Sequence, residues 1–249
     1  MVPPRILSIA GSDSSGGAGI QADIKTITVL GGYAMTAITA ITAQNTLGVA
    51  TALVLSPDLI AAQIDACIND IGIDAVKIGM LGSPEIAGIV ADRVAAMGVP
   101  VVVDPVMIAT SGAALADAAT IAAFERLMQL ATVTTPNVAE LDALGGHTGM
   151  LARHVAYLAK GGDADGERVE DVLCLPGQPP HIMAGTRIHT RHTHGTGCTL
   201  SSAIATYLGL GFELAEAVDR ARLYVRSALR AAPGFGQGNG PLGHAAARG

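Results

Sequence analysis

The sequence contains no tryptophan, and only 3% of its 249 residues are aromatic. Proteins that bind single-stranded nucleic acid stack the bases on aromatic side chains, so this composition disfavours that role. Charged residues make up 14% of the chain, the net charge is −6, and only three residues are lysines. No basic stripe of the kind that nucleic-acid binding requires is visible. We therefore expect no nucleic-acid partner.

Long hydrophobic runs are also missing. No run approaches the ~20 apolar residues of a membrane-spanning helix, and the apolar run 6–10 is too short for a signal peptide. We expect no membrane partner. The three cysteines, Cys67, Cys174 and Cys198, are odd in number and far apart. This argues against a disulfide framework or a cysteine zinc site and favours a reducing cytoplasm.

Segments typical of strands and helices alternate along the chain with short connections. The valine-rich run 99–103 is typical of a strand that is buried on both faces. No domain-splitting linker and no internal repeat are present. The pattern predicts one α/β domain over residues 1–249, with a central, mostly parallel sheet between layers of helices.

The segment 193–201 predicts an anion site. Leu200, Ile204 and Leu208 recur at helical spacing, so the turn 195–198 opens a helix. Backbone N–H groups there lack intrahelical partners, and the helix dipole favours a bound anion, most naturally phosphate. A thiol at such an end is expected to have a lowered pKa, which suits Cys198 to base or nucleophile work. The alternative is a glycine-rich helix start with a buried cysteine.

A second glycine-rich loop, residues 11–19, follows the strand-like run 5–10. It fails as a phosphate-binding P-loop, because Gly17 and Ala18 stand where lysine and serine or threonine are required. It fails as a dinucleotide fingerprint, because no acidic residue lies between Asp23 and Asp58. The loop therefore predicts close approach of a small molecule to backbone amides. Asp23 lies on the helix beyond, where a solvated helix residue is the alternative reading.

Polar residues follow several predicted strands. Gln44 and Asn45 end the strand 33–45 and offer donors and acceptors to a heterocycle. Asp104 ends the valine-rich strand, where open α/β sheets place ligand chemistry. A helix starting after Pro136 brings Asn137 and Glu140 onto one face, a geometry that suits a hydrated Mg²⁺ near phosphates.

Together these motifs closely resemble the hydroxymethylpyrimidine/phosphomethylpyrimidine kinases of thiamine biosynthesis, in the ribokinase superfamily. The resemblance covers nearly the whole chain. The motifs that carry it are GSDSSGGAGIQAD at 11–23, TAQNT at 42–46, KIGM at 77–80, DPVM at 104–107, TPN at 135–137, KGG at 160–162, HGTGCTLS at 194–201 and GNGP at 238–241.

The resemblance implies a three-layer αβα ribokinase-like fold in a cytoplasmic homodimer. It also implies ATP- and Mg²⁺-dependent phosphorylation of 4-amino-5-hydroxymethyl-2-methylpyrimidine, and then of its monophosphate. By the same resemblance, Gln44 hydrogen-bonds the aminopyrimidine edge. The other residues implied at the pyrimidine pocket are Gly11, Asp23, Met80 and Val106.

For the phosphoryl group, the resemblance implies an anion hole at Gly195, Thr196 and Gly197, with Cys198 as the proposed base. Our hypothesis is that Cys198 mostly positions and polarises the hydroxyl, since a loose transition state does not require a thiolate. The residues implied near the ATP phosphates are Lys160, Asp104 and Asn137, and Glu140 is implied at the metal.

Two departures lie on the nucleotide side. Family members usually carry a full helix where only residues 145–154 are available here, so we expect a truncated or irregular crossover. Asp163 stands where the family often has histidine. The alternatives are a pyridoxine or pyridoxal kinase, and a non-catalytic pyrimidine-binding protein. By resemblance, Gln44 and Met80 favour the pyrimidine.

Overall fold

The computed structural model describes residues 2–106 and 118–247, with the first four residues of the helix at 118 described by their backbone alone. Nine strands form one sheet within these ranges, in the order β3-β2-β1-β4-β5-β6-β7-β8-β9. The strands are β1 (Arg5–Asp13), β2 (Tyr33–Asn45), β3 (Gly48–Val54), β4 (Ala75–Ile78), β5 (Val101–Val103), β6 (Val133–Thr134), β7 (Tyr157–Ala159), β8 (Arg168–Cys174) and β9 (His181–Thr186).

The six central strands, from β2 to β7 in sheet order, pair in parallel, whereas β3, β8 and β9 pair antiparallel at the two edges. This confirms the prediction of a mostly parallel sheet. The three valines of β5 are buried, as expected for a strand that is covered on both faces. The strand β1 continues to Asp13, so the first three residues of the predicted glycine loop belong to the sheet.

Helices cover both faces of the sheet. They are α1 (Gly19–Val29), α2 (Pro57–Ala66), α3 (Pro84–Val94), α4 (Ala118–Leu130), α5 (Val138–Ala143), α6 (Gly146–Ala152), α7 (Thr196–Gly209) and α8 (Leu214–Arg230). One buried cluster joins the sheet to α2–α6, and a second joins it to α1, α7 and α8. The architecture is therefore the predicted three-layer αβα arrangement. No helix in the described ranges is long and apolar enough to cross a bilayer.

Ser56 and Ser83, each followed by proline in the sequence, cap α2 and α3, since each side chain accepts an N–H from the first turn of its helix. Helical spacing predicts that Ile24 shares a buried face of α1 with Ile20 and Ile27, but its exposure is 39%. The buried stripe of this helix runs instead through Ile20, Asp23 and Ile27, so Ile24 falls at its edge. The sequence 113–130 is typical of a helix, and it is described only from Ala118; Met107 of the DPVM motif also lies outside the described residues.

The expected irregular crossover consists of the two short helices α5 and α6 between β6 and β7. Gly145, in a left-handed conformation with φ of 87°, separates them. Leu141, Leu144, Met150 and Val155 bury their side chains in the core on that face. These four side chains cover the part of the sheet for which the sequence offered no full helix.

The polar stretch 163–171 predicts a surface loop, and this is wrong in its second half. The strand β8 begins at Arg168 and pairs with β9 from Arg168 to Leu173. Three of its first four residues are charged, which hid the strand in the sequence. Asp171, the last of them, is buried with 9% exposure rather than solvated.

Candidate active site

The two glycine-rich loops meet at the amino terminus of α7. Gly195 precedes this helix with φ of 87°, a conformation that favours glycine. A Cβ added to Gly195 would lie 1.9 Å from the carbonyl oxygen of Gly17, so no side chain fits between the loops. The predicted turn 195–198 therefore opens the helix as expected, and its backbone lies directly against the first loop.

Three other predicted residues lie in front of this helix. A Cβ added to Gly197 would lie 3.3 Å from both Lys160 Nζ and an oxygen of Asp104. Lys160 Nζ donates to Asp104 Oδ1 at 2.9 Å and lies 3.9 Å from Glu140 Oε2. Thr135 also donates to Asp104 Oδ1, at 2.9 Å. The ends of β5, β6 and β7 thus bring an ammonium and two carboxylates to the predicted anion site.

The Lys160 ammonium and the Asp104 carboxylate are both charged at neutral pH. Burial opposes the charge on Lys160, but Asp104 and Glu140 outweigh it and raise the pKa of the ammonium. Burial likewise opposes ionisation of Asp104, but Lys160 and Lys77 outweigh it and lower the pKa of the carboxyl group. A phosphate group arriving at this position would compete with Asp104 for the Lys160 ammonium.

Thr196 differs from its neighbours in the predicted anion hole, because its backbone N–H already has an acceptor. Its backbone N–H donates to the carbonyl oxygen of Thr193 at 3.2 Å. The next two N–H groups, of Gly197 and Cys198, lie in the first turn, where helix geometry provides no intrahelical acceptor. They are the donors that α7 offers to an anion.

Asn137 and Glu140 form a capping box on α5. The Asn137 side chain accepts from Glu140 N at 2.9 Å, and the Glu140 carboxylate accepts from Asn137 N at 2.8 Å. No group of three or more histidine, cysteine, aspartate or glutamate side chains in the described ranges could hold a metal ion. Mg²⁺ in kinases keeps several waters and uses one or two carboxylates plus substrate phosphates, so Glu140 beside Lys160 fits that chemistry.

Three of the predicted pyrimidine residues line clefts at the surface. Met80 and Val106 line one of them. A Cβ added to Gly11 would lie 2.5 Å from the end of the Met80 side chain, so this glycine makes room for it. Gln44 lines a second cleft with His194, which belongs to the loop 193–198 that opens α7 (the anion loop). The structure therefore brings Met80 and Val106 together and places Gln44 beside the anion loop.

Asp23 is fully buried, so it is not a solvated helix residue. Its carboxylate binds Lys77 Nζ at 2.8 and 3.0 Å and accepts hydroxyls from Ser8 at 2.6 Å and Ser202 at 2.7 Å. Lys77 has no exposed side-chain surface. Lys77 belongs to the KIGM motif, but its pairing with Asp23 was not predicted from the sequence. The available signal was a lone lysine inside an apolar strand, since lysine is almost never fully buried unless it is paired.

The predicted pKa of Cys198 is wrong in direction. Burial raises the pKa of the thiol to about 11, and the Lys77 ammonium and the Gly19 N–H only partly oppose this. The carboxylates of Asp23 and Asp104 raise it further. The helix dipole is a local effect that the sequence reveals, whereas burial of the thiol depends on tertiary packing. Cys198 is therefore a thiol at neutral pH.

Asp13 and His194 form a buried pair that sequence reasoning also missed. His194 Nε2 lies 2.8 Å from Asp13 Oδ2, and Asp13 further accepts N–H groups from Ser15 and Ala18. Burial opposes the charge on Asp13, but these hydrogen bonds outweigh it and lower the pKa of the carboxyl group. The pair fixes the first glycine loop against the anion loop.

The GNGP segment near the carboxyl terminus links two parts of the site. Asn239 N donates to the carbonyl oxygen of Thr46 at 2.9 Å, and His194 N donates to that of Gly240 at 3.1 Å. Pro241 forms a parallel bridge with His194. The segment therefore lies between the β2–β3 turn and the anion loop and contacts both.

The family model for phosphomethylpyrimidine kinase matches residues 13–243. A hydroxymethylpyrimidine/phosphomethylpyrimidine kinase of Rhizobium meliloti is 46% identical over 96% of both chains. Among solved structures, an ADP complex of Bacillus subtilis pyridoxal kinase is 33% identical, with a TM-score of 0.89 and 99% of both chains covered. A phosphomethylpyrimidine kinase of Clostridium difficile is 39% identical, with a TM-score of 0.77, covering 91% of this chain and 99% of the other.

Proposed function

Because the chain belongs to the phosphomethylpyrimidine kinase family, we propose that it uses ATP to phosphorylate 4-amino-5-hydroxymethyl-2-methylpyrimidine and then its monophosphate, in thiamine biosynthesis. The observation that carries this proposal is the convergence of Lys160, Asp104 and Glu140 on the amino terminus of α7. Phosphoryl transfer requires mainly positioning and charge stabilisation, and this arrangement supplies both. The whole chain acts as a single kinase domain.

In this mechanism the N–H groups of Gly197 and Cys198 donate to the transferring phosphoryl group, and Gly195 sets the turn that aims them. Lys160 leaves Asp104 to bind the phosphates of ATP, and Asn137 holds the helix that presents Glu140. A Mg²⁺ ion bound near Glu140 would neutralise part of the phosphate charge. Asp104 keeps Lys160 charged and close when no phosphate is present.

Cys198 positions the hydroxymethyl group rather than acting as its base. A thiol with a pKa of about 11 supplies little thiolate at neutral pH. The transition state of phosphoryl transfer is loose, so early removal of the proton from the hydroxyl is not required. The thiol lies at the first turn of α7, where it can contact the alcohol beside the donors of the anion hole.

The pyrimidine ring packs on Met80 and Val106, with Gly11 leaving room for the methionine, and Gln44 hydrogen-bonds the aminopyrimidine edge. Asp23 supports this pocket indirectly, through Lys77. Its carboxylate already accepts four hydrogen bonds from protein groups, so it supports the floor through Lys77 rather than binding the ring directly.

The enzyme is a cytoplasmic homodimer in this proposal. The three cysteines are free, which suits a reducing compartment. The edge strand β3 contains no charged residue, and Leu53 and Val54 on it are 65% and 45% exposed. Exposed apolar edge strands are normally covered, and a second copy of the chain would cover this one. Analytical ultracentrifugation would test the dimer.

A pyridoxal kinase is the second candidate, favoured by the structural similarity to the Bacillus subtilis enzyme. An ATP-consumption assay with Mg²⁺ separates the two, using the hydroxymethylpyrimidine, its monophosphate and pyridoxal as substrates and identifying products by mass. Two successive phosphate additions to the pyrimidine would support the first proposal. Turnover of pyridoxal alone would support the second. Pyrimidine binding without turnover would indicate a non-catalytic binding protein.

A further inference from the structure

The main chain around Lys160 is held from two sides in different ways. On the β6 side, Lys160 N donates to the carbonyl oxygen of Pro136 at 2.9 Å. On the β8 side, the next N–H, of Gly161, donates to a side chain, Asp171 Oδ1, at 2.9 Å. The first contact is made by the backbone alone, but the second depends on the identity of residue 171.

The carboxylate of Asp171 takes over where the strand pairing stops. The β7–β8 ladder ends at the Ala159–Val172 pair. A Cβ added to Gly161 would lie 2.0 Å from the carbonyl oxygen of Glu170, so the two chains approach each other very closely at this point. Asp171 thus fixes the peptide that directly follows the lysine.

Asp171 is in turn paired with an arginine on α8. Arg222 Nε donates to Asp171 Oδ2 at 2.6 Å, and both side chains are 13% exposed. The other Arg222 nitrogens donate to the carbonyl oxygens of Ala184 and Val169, each at 3.4 Å. A buried ion pair is weak evidence for stability, because desolvation offsets most of the attraction. Its position next to the phosphate-binding lysine suggests another purpose.

We propose that Asp171 and Arg222 are positioning residues for nucleotide binding, which hold the main chain of Lys160 at the place from which its ammonium reaches a phosphate. This rests on the proposed role of Lys160 in binding ATP. A displacement of about 1 Å in a positioning contact costs up to a hundredfold in rate. Neither residue needs to touch the nucleotide, because both act through Gly161.

The test compares Arg222→Met with Arg220→Met. Arg220 lies on the same helix and also forms an ion pair, with Glu216, but this pair is about half exposed, and neither residue hydrogen-bonds the 160–161 or 171 positions in the described ranges. Calorimetry measures the dissociation constant of a non-hydrolysable ATP analogue, and steady-state kinetics give KM for ATP and for the pyrimidine. Loss of one charge-assisted contact predicts about tenfold weaker nucleotide binding in Arg222→Met. We expect KM for the pyrimidine to stay within about twofold, and Arg220→Met to bind as the wild type does.

Two milder variants keep the test decisive if Arg222→Met fails to fold. Arg222→Lys keeps the positive charge and should recover part of the affinity. Asp171→Asn keeps an acceptor for Gly161 N but loses the ion pair, so its affinity should fall between wild type and Arg222→Met. The inference is overturned if these folded variants bind the analogue as wild type does, or if both KM values rise equally. Binding of the analogue by a wild-type protein that does not phosphorylate the pyrimidine would refute the proposed function alone.

Discussion

The buried pair of Lys77 and Asp23 makes a strong prediction about stability. Lys77→Met removes the ammonium and leaves the Asp23 carboxylate buried, with Ser8 and Ser202 as its remaining side-chain partners among the described residues. Both members of the pair have no exposed side-chain surface. Removing one partner of such a pair costs about 3–5 kcal/mol, because it leaves an uncompensated charge. At about 2–4 °C per kcal/mol for a chain of this size, the melting temperature should fall by roughly 10 °C.

The pH dependence follows from the direction of the shift. Burial opposes the charge on Lys77, but Asp23, Cys198 and Asp104 outweigh it and raise the pKa of the ammonium. A lysine whose folded pKa lies above its unfolded value of about 10.4 contributes its full stabilisation below that pH and loses it only above. The difference in free energy of unfolding between wild type and Lys77→Met should therefore be present throughout the range from neutral to weakly alkaline pH.

Urea denaturation at neutral pH measures this difference, with Arg93→Met as the matched control. Arg93 also forms a two-pronged ion pair, with Asp65, but the two side chains are 28% and 47% exposed. An exposed pair contributes about 0–1 kcal/mol, so the control should lose little. The double variant Lys77→Met/Asp23→Asn should recover part of the loss. If Lys77→Met loses no more than Arg93→Met, the pair is not desolvated and the reasoning is wrong.

Three further predictions concern the chemistry. Cys198→Ser should keep kcat within about tenfold, since a general base would contribute about 10²–10⁴; a larger loss of kcat at unchanged KM would restore the base role. Glu140→Gln keeps an acceptor for the capping box but loses the charge. KM for ATP and the Mg²⁺ concentration for half-maximal rate should therefore both rise, while the melting temperature changes little. An unchanged Mg²⁺ requirement would show that Glu140 does not bind the metal. Gly195→Ala should lower the free energy of unfolding by about 1–2 kcal/mol from its positive φ alone, and by more from the clash with Gly17. It should also lose binding of the ATP analogue, which calorimetry would detect. Normal binding would show that the two loops can separate.

The parts of the site that could be predicted are those fixed by local sequence. Gly195 requires a left-handed conformation that its own position in a helix-opening turn reveals, and Asp104 follows a strand that its valines identify. The Asp23–Lys77 pair could not be found in this way, because its members lie 54 residues apart. The predicted lowering of the Cys198 pKa was wrong for the same reason. The dipole of its own helix is a local effect, whereas burial of the thiol depends on distant parts of the chain.

The fold followed the same division. Strand and helix alternation predicted the layers, because each element carries its own periodicity. The strand β8 was partly missed because most of its first residues are charged. Its pairing with β9, which the local sequence does not reveal, makes this segment a strand. Gln44 and Met80 were assigned to one pyrimidine site by resemblance, and this stays a prediction, since the two residues line separate clefts.

The contacts of the GNGP segment also set a time at which the enzyme can first work during synthesis. Thr46 and His194 each depend on the stretch 238–241 for a backbone hydrogen bond, and that stretch follows the strands β1–β9 and the helices α1–α8 along the chain. A nascent chain can build most of the sheet on the ribosome, but its anion loop has no support from this segment until residue 241 has been added. A chain that is terminated before residue 238 would therefore fold most of the kinase domain but would have no kinase activity.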